Sequence, residues 1–101
     1  MIDDEIRKLF RLRDKAVKNK DINLFLSTQV SEIRNSSAKG YLSVDELKSK
    51  VIYIFTDSNK IRKSAAVEES YYYQRKLTHK ALLLYYLVHT PSGWKVYDIV
   101  W

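Results

Sequence analysis

Cysteine is absent from this chain of 101 residues, which removes disulfides, thiol nucleophiles and cysteine-ligated zinc together. Proline occurs once and glycine twice, leaving little material for flexible linkers or a phosphate-cradling loop. No apolar run is long enough for a membrane span, and the opening Met1-Ile2-Asp3-Asp4-Glu5-Ile6-Arg7-Lys8 lacks a signal-peptide core. A cytoplasmic location is the expectation, or a periplasmic one if a leader has been removed. Histidine is scarce too. On one strand His79 and His89 would lie roughly 33 Å apart, too far to share a metal, so neither a metal site nor a cofactor is expected. The serines include none in a recognisable nucleophile setting beside a histidine, so a hydrolase triad is not supported.

What is present describes one globular domain spanning residues 1–101. Hydrophobic residues make up 46% and charged residues 30%, enough for a modest core at this length. The net charge of +6 raises the question of nucleic acid. At about 100° per residue, Arg7, Lys8, Arg11, Lys15 and Lys18 share one arc of a first helix. Acids interleave with them at spacings suited to pairs such as Asp4–Lys8 and Asp14–Lys18. A solvated helix face is the preferred reading of that pattern, nucleic acid is an unlikely partner, and a basic surface for nucleic acid or an acidic partner remains the further alternative.

Hydrophobic spacing divides the chain into helices and then strands. An amphipathic helix is expected over residues 3–18, with Ile6, Leu9, Phe10, Ala16 and Val17 inward. Asp21 is placed to cap a short second helix through Ile22, Phe25 and Leu26. Residues 28–41, with Val30, Ile33 and Ser36-Ser37-Ala38-Lys39-Gly40, suggest a short strand or hairpin. Ser43-Val44-Asp45-Glu46 fits a capping box, and Val44, Leu47, Val51, Ile54 and Phe55 then line one face of a third helix, ended by Thr56-Asp57-Ser58-Asn59. Strand-like stretches follow: Ile61 to Val67 and on through Tyr73, Ala81 to His89, and Trp94 to Trp101. The expected fold is α+β, with three N-terminal helices packed on a strongly curved antiparallel sheet.

This element order, together with Gly93-Trp94-Lys95-Val96-Tyr97-Asp98-Ile99, resembles the nuclear-transport-factor-2-like (cystatin-like α+β cone) superfamily. The tail from Leu87-Val88 to Ile99-Val100 is also similar to the periplasmic phospholipid-carrier proteins of lipid-asymmetry systems. The resemblance implies a cone that could hold a small apolar ligand and a sheet-face homodimer. It also leaves open an enzyme of the isomerase, dehydratase or cyclase type.

The residues narrow the candidates further. Pro91-Ser92-Gly93 suits a three-residue hairpin loop, which sets Asp98 opposite Tyr86, Val96 opposite Val88 and Val100 opposite Leu84. Asp98 is then the one charge on a face with Leu82, Leu84, Tyr86, Val88, Trp94, Val96 and Val100. A buried carboxylate needs a partner, and Arg13 lies near the centre of the first helix's apolar arc. Asp98, Tyr86, Arg13 and Trp94 are therefore the pocket candidates, with Asp98 as base or orienter and Tyr86 as donor in the enzyme reading. The other face carries Leu83, Tyr85, Leu87, Tyr97, Ile99 and Trp101, an apolar patch expected to seek a second copy of the chain. A stacking platform for single-stranded nucleic acid is the sharper alternative for that patch.

Overall fold

The computed structural model describes residues 2–31, 33, 38–55 and 60–100. Helix α1 (Ile2–Asn19) carries Asp3, Asp4 and Glu5 in its first turn and Lys18 in its last, as the helix dipole favours. Ile6, Leu9, Phe10, Arg13, Ala16 and Val17 all lie on its buried side. The helix closes with a left-handed residue, Lys20 at φ 55°. The Lys20 amide donates to the Val17 carbonyl and the Asp21 amide to the Ala16 carbonyl, which is a Schellman ending with lysine where glycine is usual. Asp21 then caps α2 (Ile22–Ser27), its carboxylate accepting the Leu24 N–H at 3.0 Å.

Beyond α2 the order of elements departs from the sequence-based expectation. The third helix, α3, is Ala38–Leu42, inside the stretch read as a strand or hairpin. Residues 43–55 do not form a helix: Ser43 turns back to the Gly40 carbonyl, and strand β1 occupies Glu46–Phe55. The reason lies in a bulge. Leu47 and Val51 pair in step with β2 (Arg62–Tyr73), but the register slips at Ile52 before Tyr53 and Ile54 resume it. One extra residue brings Val51 and Ile54 to the same face, giving a three-residue spacing that imitates a helix. Residues 34–37 of the expected hairpin and 56–59, expected to end the third helix, lie outside the described residues.

Strands β3 (Lys76–Thr90) and β4 (Gly93–Val100) complete an antiparallel meander in the order β1-β2-β3-β4. Near the turn the β3–β4 register follows a two-residue loop, with Thr90 opposite Gly93 and Leu87 opposite Val96 rather than Val88 opposite Val96. A slip on β4 then restores the expected pairs, Asp98 with Tyr86 and Val100 with Leu84. The far edge of β4 is covered by residues 28–30: the Val30 amide donates to the Val96 carbonyl, and the Val96 amide to that of Thr28.

The sheet face that receives the helices is not the one expected. Leu83, Tyr85 and Leu87 are buried against Ile6, Leu9 and Phe10 of α1, so they form the core rather than an exposed patch. Both faces of β3 are apolar, and strand alternation by itself does not say which one a helix will cover. The open face carries Leu82, Leu84, Tyr86 and Val88 with Tyr53, Phe55 and Val100 from neighbouring strands. Tyr97, carried there by the β4 slip, sits against Tyr86 with ring centroids 6.0 Å apart. Trp101, expected on the patch, lies outside the described residues. Burial of the helix-facing side is the main stabilising term, and Phe10 meets Tyr85 edge-on at 4.8 Å within it.

Candidate functional site

Below α3 the helix-facing side of the sheet continues past the core and opens into a cavity of about 450 Å³. Ala81 and Leu83 form its strand wall, Gly40, Tyr41 and Val44 the α3 side, and Tyr71, Thr78 and His79 the rest. Strand alternation explains the cast, since Ala65, Val67, Glu69 and Tyr71 are successive helix-facing positions of β2 and pair with the helix-facing residues of β3. The His79 ring stacks on Tyr71 at 5.8 Å and 16°, and Tyr41 lies 6.3 Å from Tyr71, so aromatic surface dominates the lining.

Behind that aromatic wall sits Glu69, fully buried. Tyr41 donates to its Oε1 at 2.8 Å. Tyr71 donates to the same oxygen and Tyr85 to Oε2, while the Tyr41 and Tyr85 hydroxyl oxygens lie 3.1 Å apart. A buried carboxylate with three hydroxyl donors is a satisfied one. Burial, together with the negative charge of Glu69, pushes all three tyrosine hydroxyls well above their ordinary range. They keep their protons throughout the physiological range.

Arg13 is the second fully buried charge. Its guanidinium lies 4.5 Å from the Phe25 ring centre, 5.4 Å from that of Tyr41 and 5.5 Å from that of Tyr85. Nη1 donates to Thr28 Oγ1 at 2.9 Å and to Gln29 Oε1 at 3.1 Å. Nε and Nη2 have no hydrogen-bond partner. Two rings, Tyr41 and Tyr85, thus touch Arg13 on one side and bind Glu69 through their hydroxyls.

The residues singled out from sequence are placed apart. Asp98 is buried opposite Tyr86, and its Oδ1 accepts the Ile99 N–H at 2.9 Å. Arg13 reaches Thr28 and Gln29, not Asp98. Tyr86 is on the open sheet face beside Tyr97. Trp94 is buried at the other end of the sheet, donating to Glu5 at 3.2 Å with its ring 5.1 Å from His89. None of these four lines the cavity. Glu69, Tyr41, Tyr71 and His79 were missed as site residues. The signal for Glu69 was available, because it stands in phase with Ala65 and Val67 as the one acid on an apolar strand face. For Tyr41 there was none, since its stretch reads as a hairpin. Among the described residues no three His, Asp or Glu side chains converge as a metal site, and no helix is long and apolar enough to cross a membrane.

No protein-family model and no curated protein sequence matches the chain. Solved structures do. An NTF2-like protein of unknown function from Shewanella oneidensis MR-1 aligns with a TM-score of 0.77 at 13% identity, over 98% of this chain and 97% of its own. A domain of unknown function with a cystatin-like fold from Nostoc punctiforme PCC 73102 aligns at 0.70 and 15% identity, over 97% of this chain and 74% of its own. A candidate dehydratase of the NTF2-like family from Streptomyces avermitilis aligns at 0.64 and 9% identity, over 95% and 91%. At such identities the likeness is one of fold. Three helices on a four-stranded antiparallel meander, aligned with these proteins over nearly the whole of this chain, give the chain the NTF2-like, cystatin-like α+β fold.

Proposed function

We propose that this protein is a binding module that takes a small, largely apolar ligand into the cavity beside α3 and works as a homodimer through its open sheet face. The cavity carries the reading: about 450 Å³ walled by Tyr41, Tyr71, His79, Ala81 and Leu83, a size and lining typical of small-molecule sites. An enzyme acting through Asp98 and Tyr86 is less favoured, because neither residue borders this space. Narrowing the cavity from the strand side tests the ligand half of the proposal. Naphthalene is expected to shift the NMR signals of Tyr41, Tyr71 and Leu83 in the unsubstituted protein, and Ala81→Phe to abolish those shifts. Shifts absent from the unsubstituted protein, or unchanged in the variant, would refute a ligand site here. The dimer half rests on the open face, where Leu82, Tyr53, Phe55 and Val100 are 66%, 54%, 42% and 42% exposed, and exposed apolar groups gathered on one face are what protein interfaces use.

A further inference from the structure

The outward face of α1 carries a row of cations that the fold leaves unneutralised. Arg7, Lys8, Arg11, Lys15 and Lys18 are all exposed. At about 100° per residue they lie opposite the buried arc of Ile6, Phe10, Arg13 and Val17. Four of them, Lys8, Arg11, Lys15 and Lys18, are spaced three or four residues apart, so they form one line about 15 Å long. The pairs that residue spacing favours, Asp4–Lys8 and Asp14–Lys18, do not form. Asp14 turns inward instead, to the Ser49 amide and hydroxyl. Among the described residues no side chain forms an ion pair or a hydrogen bond with the four head groups, so their charge is open to a partner in solution.

Chemistry selects among the anionic partners. A protein interface is built round buried apolar anchors, and among the described residues none of the large exposed hydrophobics lies on α1. Lying in a membrane surface needs a free apolar helix face, and that of α1 is already packed against Leu83, Tyr85 and Leu87. What the row offers is charge alone. Nucleic-acid backbones are held in this way, their phosphates met by lysine and arginine with no reading of sequence. A DNA duplex carries one charge per about 1.7 Å of its axis, dense enough to meet all four cations. We propose that the α1 row is a docking surface for the phosphate backbone of double-stranded nucleic acid, separate from the cavity and from the open sheet face.

Fluorescence anisotropy of a labelled DNA duplex of mixed sequence is the direct test. With four phosphates neutralised, log affinity is expected to fall with log salt at a slope of about −3.6. Affinity then drops about a hundredfold between about 50 and 200 mM salt. The double change Lys8→Gln and Lys15→Gln is expected to bring the slope to about half, one step for each cation removed. Lys48→Gln with Lys50→Gln removes the same charge from exposed positions of β1 on the opposite side of the sheet, and is expected to leave the slope unchanged. The same slope in both double variants would mean that net charge, not this row, holds the duplex. That result, or no binding at about 50 mM salt, overturns the proposal. So would polyglutamate or phosphatidylserine vesicles binding more tightly than the duplex, which would assign the row to an acidic protein or to a membrane.

Discussion

Asp14 lies at the border between α1 and β1, where it accepts the Ser49 amide at 2.9 Å and the Ser49 hydroxyl at 2.7 Å. Burial outweighs both hydrogen bonds and lifts its carboxyl from 3.8 to about 6. A raised folded-state value means that the folded protein holds this proton more tightly than the unfolded chain does. Its contribution to stability is therefore fully present below about pH 3.8 and declines as pH rises to about 6. Asp14→Asn is expected to flatten that window, which urea midpoints measured at intervals across it would show. Arg13 invites a different substitution. Two of its buried nitrogens, Nε and Nη2, have no hydrogen-bond partner, while Nη1 and the guanidinium face are engaged by Thr28, Gln29 and three rings. Arg13→Met removes two buried hydrogen bonds to a charged donor and is expected to cost about 1.5–3 kcal/mol, whereas Phe10→Ala should cost about 3–5 kcal/mol. Equilibrium denaturation of the two variants compares them directly. Arg13 was legible in sequence as a charge on an apolar arc; its partners were not, because they come from the far end of α2, which no local spacing links to it.

At the scale of elements, turn chemistry is where the chain departs most from ideal. The β2–β3 hairpin closes on Gln74 and Arg75, both left-handed at φ 50° and 66°, in a loop geometry that prefers Asn-Gly. The strain is tolerated because neighbouring contacts hold the turn, among them the Gln74 amide donating to Asp45 at 2.7 Å. The double change Gln74→Asn and Arg75→Gly is expected to raise stability by about 1 kcal/mol, read as a higher denaturant midpoint at unchanged slope. α1, α2 and most of the last three strands could be read from residue spacing, since their irregularities fall near strand ends, at Thr78 on β3 and Tyr97 on β4. β1 could not. Its bulge at Ile52 breaks the period of two, and the Ser43–Glu46 capping pattern runs into a strand that tertiary pairing with β2 imposes, Glu46 being the first residue of β1.

For the whole molecule, the Glu69 cluster links α3, β2 and β3. Tyr41, Tyr71 and Tyr85 all have hydroxyls raised above their ordinary value of 10. Below that value their contribution to stability is complete; above it the unfolded chain sheds protons that the folded protein retains, and stability falls. A melting temperature that drops steeply from about pH 10 upward is expected, and replacing Tyr85 with Phe should make the drop shallower. The open sheet face supplies the last expectation. Leu84 sits at its centre, between Ala66 and Val100; sedimentation equilibrium is expected to give a dimer at micromolar concentration for the unsubstituted protein and a folded monomer for Leu84→Lys.

Residue order by itself determined the α+β class, the inward arc of α1 and the Asp21 cap, because each depends on local periodicity; Asp98 met Tyr86 only because a slip on β4 offset the two-residue loop. Tertiary structure decided which of two apolar sheet faces α1 would cover, and with it nearly everything about the site. Once α1 took the face of Leu83, Tyr85 and Leu87, Glu69 came inside with them and needed three hydroxyls drawn from α3, β2 and β3 to be buried at all. Those donors lie 28, 2 and 16 residues from it along the chain. A buried charge is satisfied by whatever the fold brings within reach, and that reach is set by packing rather than by sequence distance.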